Sequence, residues 1–169
     1  GDGDGENVVH FEIVGSGYGG NRLGDGASCM ATGYESNVMF TPIEIVETEF
    51  PTRLRAFEPR ADSAGPGEHR GGLGFVREYE FLAEGELTYG GTNHVVRAQG
   101  TAGGGESAPS TCEVNPGTQG RQLNPFERID LSVGDVMRIE RSGGGGYGDP
   151  HDRDPEAVLA DVRKGFVSR

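Results

Sequence analysis

Apolar and polar positions in this chain alternate over short stretches more often than they recur every three or four residues, and a two-residue period predicts strands. Val9, Phe11 and Ile13 alternate with His10 and Glu12, which reads as a half-buried strand. Further strands are predicted at 43–46, 52–57 and 75–82; in the last, Phe75, Arg77, Tyr79 and Phe81 alternate with Val76, Glu78, Glu80 and Leu82. Ala-Glu-Gly at 83–85 predicts a hairpin into 86–89, and Gly134-Asp135 predicts another between 129–133 and 136–140. Only 154–164 reads as a helix. Asp154 suits its cap, Pro155 its first position, Val158, Leu159 and Val162 form one apolar stripe, and Gly165 is a stop. The expected fold is mainly β, a sandwich or distorted barrel with long Gly-rich loops and one carboxy-terminal helix, in a single domain over 1–169.

The loops change this picture more than the strands do. Glycine occurs 31 times in 169 residues and tryptophan not at all, and only 33% of positions are apolar. The core such a chain can bury is small for its length, and its loops are entropically expensive to order. Residues 15–26 form one glycine loop, an interface candidate, and 143–149 form another: Gly143, Gly144, Gly145, Gly146, Tyr147, Gly148 and Asp149. Four successive glycines are expected where backbone passes close to something or takes positive φ. The 143–149 loop is therefore expected to be pinned in a buried interface, braced by the helix that follows.

Fifteen Lys and Arg against 27 Asp and Glu give a net charge of -12, with the acids spread along the chain. That balance argues against nucleic acid and against an anionic membrane as partners. No apolar run is long enough to span a bilayer. Cys29 and Cys112 lack CxxC spacing and any disulfide framework, so two reduced thiols in a cytoplasmic protein are expected.

Candidate chemistry is sparse. Asp62, His69 and Arg70 sit among glycines in 62–74, where they could face a substrate or a subunit edge; equally, the segment could be a long hairpin connection in which Arg70 pairs with a carboxylate. His94 is a further weak catalytic candidate, without an adjacent nucleophile, acid or second ligand. The four histidines show neither H-x-H nor HExxH spacing, so no metal site is expected. The acids and glycines of 1–5 suggest a calcium loop but lack its distal Glu. The glycines of 143–146 lack the Lys-Ser/Thr of a phosphate loop, and no bound cofactor is expected in this chain.

Three blocks nevertheless form a specific constellation: TPIEIVETEFP at 41–51, DSAGPGEHRGGLGFVREY at 62–79, and GGGGYGDP at 143–150 running into the capped helix. In order and spacing they resemble the carboxy-terminal portion of the hydantoinase B/5-oxoprolinase family, the B-type component of ATP-dependent cyclic-amide hydrolases and related ketone carboxylases. At Thr92 and Asn93 the chain departs from the family, which usually has an acid and an Arg there, whereas Gly103 and Gly104 follow its pattern.

The resemblance implies a carboxy-terminal part or separate small subunit of a heteromeric, ATP-dependent cytoplasmic enzyme, contributing scaffold and interface and inactive alone. Its implied partners are an A-type ATPase subunit and the amino-terminal part of the B-type component. ATP with magnesium, and a divalent metal, are expected on those partner chains. The alternative is a non-catalytic β-sheet assembly or binding module of the same ancestry.

Overall fold

Two antiparallel sheets and two helices organise the chain in a computed structural model that describes residues 8–31, 39–117 and 120–168. In chain order the elements are α1 (Ile43–Glu49), β1 (Thr52–Pro59), β2 (Phe75–Phe81), β3 (Gly85–Gly90), β4 (Thr111–Val114), β5 (Arg121–Gln122), β6 (Phe126–Leu131), β7 (Val136–Glu140), a 3-10 turn (Pro150–Asp152) and α2 (Pro155–Arg163). The larger sheet has the order β1-β2-β7-β4-β5, and β3 pairs with β6 in the smaller one. The fold is mainly β, consistent with a sandwich, and among the described residues no closed barrel forms. One core draws on both sheets and α1: Val46, Tyr79, Tyr89, Cys112, Val114, Leu123, Leu131, Met137 and Ile139. The acidic glycine run at 1–5 lies outside the described residues.

Strands form where expected at 52–57, 75–82, 86–89 and 136–140, the one expected at 129–133 lies at 126–131, and β4 and β5 have no expected counterpart; the expected pairings do not form. The expected hairpin from 75–82 into 86–89 is replaced by pairing of β3 with β6. The expected hairpin around Gly134 is likewise absent, because β6 stays with β3 while β7 enters between β2 and β4. The turn itself forms, with Gly134 at φ 88 and the Ser132 amide donating to Asp135 Oδ2 at 2.7 Å. Its backbone is held by Phe81, whose amide donates to Asp135 O and whose carbonyl accepts from Gly134 N. It hands the chain from one sheet to the other instead of closing a ladder. Turn chemistry is local, whereas pairing depends on which surfaces the whole chain buries together.

Two further expectations are corrected. Residues 43–46, expected as a strand, begin helix α1, so 154–164 is not the only helical segment. Pro42 precedes α1, Glu44 sits in its first turn, and Phe50, ahead of Pro51, is extended at φ -125 and ends it. The β-branched residues are accommodated because Val46 alone is buried there. Among the described residues, 8–14 join no sheet, and their sidedness is inverted: Val9, Phe11 and Ile13 are exposed while His10 and Glu12 face inward.

Candidate functional site

Four glycine-rich segments, at 15–31, 63–74, 98–107 and 141–149, pack on one another almost without side chains. Gly144 donates to Gly72 O at 2.9 Å, Gly72 to Tyr18 O at 2.7 Å, Gly65 to Gly144 O at 2.8 Å and Gly146 to Gly105 O at 2.9 Å. Together the glycines of 143–146 face three other segments of backbone. A Cβ would overlap Ser63 O at Gly143, Tyr18 O at Gly144, Gln99 O at Gly145 and Pro66 O at Gly146. Close approach therefore requires these four glycines; positive φ does not, and in this loop occurs only at Gly148. Every neighbour just named belongs to this chain, so the loop is pinned by its own fold.

Helix α2 closes one side of this layer. Asp154 caps it by accepting from Glu156 N at 2.9 Å, Pro155 opens it, and Gly165 at φ 72 ends it. The expected apolar stripe is not what docks it: Val158 and Leu159 are exposed, and the one buried residue of α2 is Asp161. Asp161 Oδ2 accepts from Arg70 Nε at 3.0 Å and from Arg153 Nη2 at 2.8 Å. Arg153 also grips Asp25 through two bonds, of 2.7 and 2.8 Å. Burial opposes the charge on Asp25, but Arg153 and Arg70 outweigh it and hold the carboxyl below its ordinary value. Two cations thus meet two anions, and the cluster acts as an electroneutral lock joining 15–31, 62–74 and α2.

Asp62 and Arg70 share a cleft of about 310 Å³ with Pro66, Arg153, Val158 and Phe166. Asp62 sits at φ 55, and its carboxylate accepts from Ser168 N at 2.9 Å, tying down the chain end. His69 forms an isolated backbone bridge with Tyr147, and their rings stack at 6.5 Å. His94 lies apart from these three, its Nε2 against the Tyr89 hydroxyl. Burial pushes Tyr89 up to about 12, while burial and Arg141 hold His94 below its usual value. The Tyr89 hydroxyl and a neutral imidazole thus share a structural hydrogen bond. Cys112 is fully buried and pushed up to about 12 by burial, which makes it a poor nucleophile.

The weak catalytic candidates therefore do not converge on one reaction centre. The described His, Cys, Asp and Glu side chains form no group of three able to hold a metal ion. Sequence reasoning missed Asp25, Arg153, Asp161 and the Glu12–Arg77 pair. Only the burial of an acid on a helix with an apolar stripe could have signalled the lock, and that burial is a tertiary fact.

A family model described as hydantoinase B/oxoprolinase matches residues 1–150. The chain belongs to this family. Caprolactamase subunit beta of Pseudomonas jessenii is 32% identical over 90% of this chain, which covers 28% of that protein. The crystal structure of the ATP-dependent caprolactamase from the same species superposes with a TM-score of 0.77 at 28% identity, over 92% of this chain and 28% of the other. A nucleotide-free acetone carboxylase structure gives a TM-score of 0.79 at 23% identity, over 91% of this chain and 25% of that one, and shows the shared fold. The chain spans about a quarter of the length of its first curated relatives. Among the described residues no helix is long and apolar enough to cross a membrane.

Proposed function

We propose that this chain serves as the carboxy-terminal part, or a separate small subunit, of a B-type component in a heteromeric ATP-dependent enzyme acting on cyclic amides or ketones. One observation carries the reading: the family match extends over 1–150, yet Asp62, Arg70 and His94 within it bond internal partners and the chain spans about a quarter of its first curated relatives. Scaffold and interface are the contribution this arrangement supports. The glycine layer is stiff because a residue with a Cβ does not fit at its contacts, and the Arg70–Asp161–Arg153–Asp25 lock fixes α2 against it. The relatives' names supply the chemistry proposed here: ATP-dependent opening of a lactam in one, ATP-dependent carboxylation of acetone in another. In this reading ATP, magnesium and a divalent metal are held by an A-type ATPase subunit and by the amino-terminal part of the B-type component, in the cytoplasm.

Native mass spectrometry of the assembly isolated from its source through a tag on this chain tests the proposal. The expected masses include the chain together with an ATPase subunit and the amino-terminal part of the component, and the assembly is expected to hydrolyse ATP when given a lactam or ketone. A free monomer would overturn the reading.

A further inference from the structure

Exposure alternates along residues 9–14, and their sidedness is set by bonds rather than by hydrophobicity. Glu12 reaches inward, its carboxylate accepting from Arg77 Nη1 at 2.6 Å and from the Tyr79 hydroxyl at 2.5 Å. His10 stacks on Phe50 with ring centroids 4.3 Å apart. Arg77 is fully buried among Phe40, Phe57 and Tyr79, and Glu12 is its ion-pair partner. Slipping the segment by one residue would turn its apolar side chains inward but strip that guanidinium of its carboxylate, so the register is locked.

The locked register leaves Val9 82% exposed, Phe11 81% and Ile13 42%, on one face at every second position. Among the described residues, no amide or carbonyl of 8–14 bonds to another backbone group. A pinned segment whose main-chain groups bond no described backbone, with an outward apolar row, has the features of a strand awaiting a ladder.

We propose that residues 8–14 pair edge to edge with an apolar strand from the amino-terminal part of the B-type component, burying Val9, Phe11 and Ile13 beneath it. This inference rests on the reading that the chain works within a larger component. The occupant follows from two facts. The matched stretch is 28% of the caprolactamase subunit, so most of such a component lies beyond what this chain supplies. Glu12, the one acid in 8–14, is neutralised by Arg77, so the outward row offers no charge and complements an apolar strand. Main-chain bonds would supply affinity, and alternate side chains would select the partner.

The test compares hydrogen–deuterium exchange of the assembly, isolated from its source through a tag on this chain, with that of the chain alone. Amides of 8–14 are expected to exchange at least about tenfold more slowly in the assembly. Phe11→Asp, and separately Val9→Asp, should weaken retention of the amino-terminal part by about tenfold or more while leaving the melting temperature of the isolated chain unchanged. An intact assembly with unprotected 8–14 overturns the inference and leaves the larger reading standing. If no partner co-purifies, both fall together. Protection that rises with the concentration of the chain alone would assign the edge to a second copy and overturn the choice of partner.

Discussion

The guanidinium of Arg153 grips the carboxylate of Asp25 through two parallel hydrogen bonds, although 128 residues separate them. Asp161 shares that guanidinium and binds Arg70 as well, so one helix is fastened by charge rather than by its apolar stripe.

Truncating Asp161 leaves two largely buried cations sharing Asp25, which is itself partly exposed. Asp161→Ala is expected to cost about 3 kcal/mol and to release α2. Denaturant unfolding, with exchange of the α2 amides as a local readout, measures both. A loss comparable to that of Leu159→Ala at the exposed face would show that the lock is not what docks the helix.

The glycine layer makes a sharp steric prediction with an internal control. Gly144→Ala drives a Cβ into the Tyr18 carbonyl, where only backbone could yield, and should cost about 3 kcal/mol or prevent folding. Gly85→Ala meets nothing within 4 Å and lacks positive φ, so its melting temperature should stay near the parent's. Equal effects would count against backbone contact as the reason for the glycines.

Removing Glu12 tests how the buried Arg77 is balanced. Glu12→Ala leaves a fully buried guanidinium without its carboxylate and should cost about 3–5 kcal/mol. The double variant Glu12→Ala with Arg77→Met, set beside Arg77→Met alone, should recover much of that loss, because neither charge then remains. Chemical denaturation of the set provides the cycle, and additive effects would contradict the pairing.

Acid should weaken the fold in two stages. His10 and His94 are held below 6.5, chiefly by burial, so their contribution is fully present above 6.5. As pH falls through 6.5 the unfolded chain takes up protons that the native state resists, and stability drops until the native imidazoles protonate. Asp25 acts lower: its carboxyl is held below 3.8, so its contribution is complete above 3.8 and is lost as pH falls through the native value. Melting temperature against pH should show both slopes, His94→Gln reducing the first and Asp25→Asn the second.

Much of the fold was legible in the order of residues, because it depends on local chemistry. The period of two marked β1, β2, β3, β6 and β7; Asp154, Pro155 and Gly165 bounded α2; Gly134 marked a turn; three spaced blocks identified the family. Four consecutive glycines signalled a close approach, and the structure supplies that approach from Ser63, Tyr18, Gln99 and Pro66. Ile43 to Val46 misled, because β-branched residues favour strands on average while Pro42, Glu44 and Pro51 decided the matter locally.

What stayed hidden was long-range. Which strands pair, which face of 8–14 turns inward and which residue docks α2 all depend on partners dozens of positions away, and periodicity carries no information about them. The sequence shows Glu12 beside Phe11 and Asp161 beside Val162, and hydrophobicity alone would bury the apolar member of each pair. Tertiary structure buried the acids more deeply, because Arg77 in one case and Arg70 with Arg153 in the other were already committed to the interior, where an unpaired cation costs more than an exposed Phe.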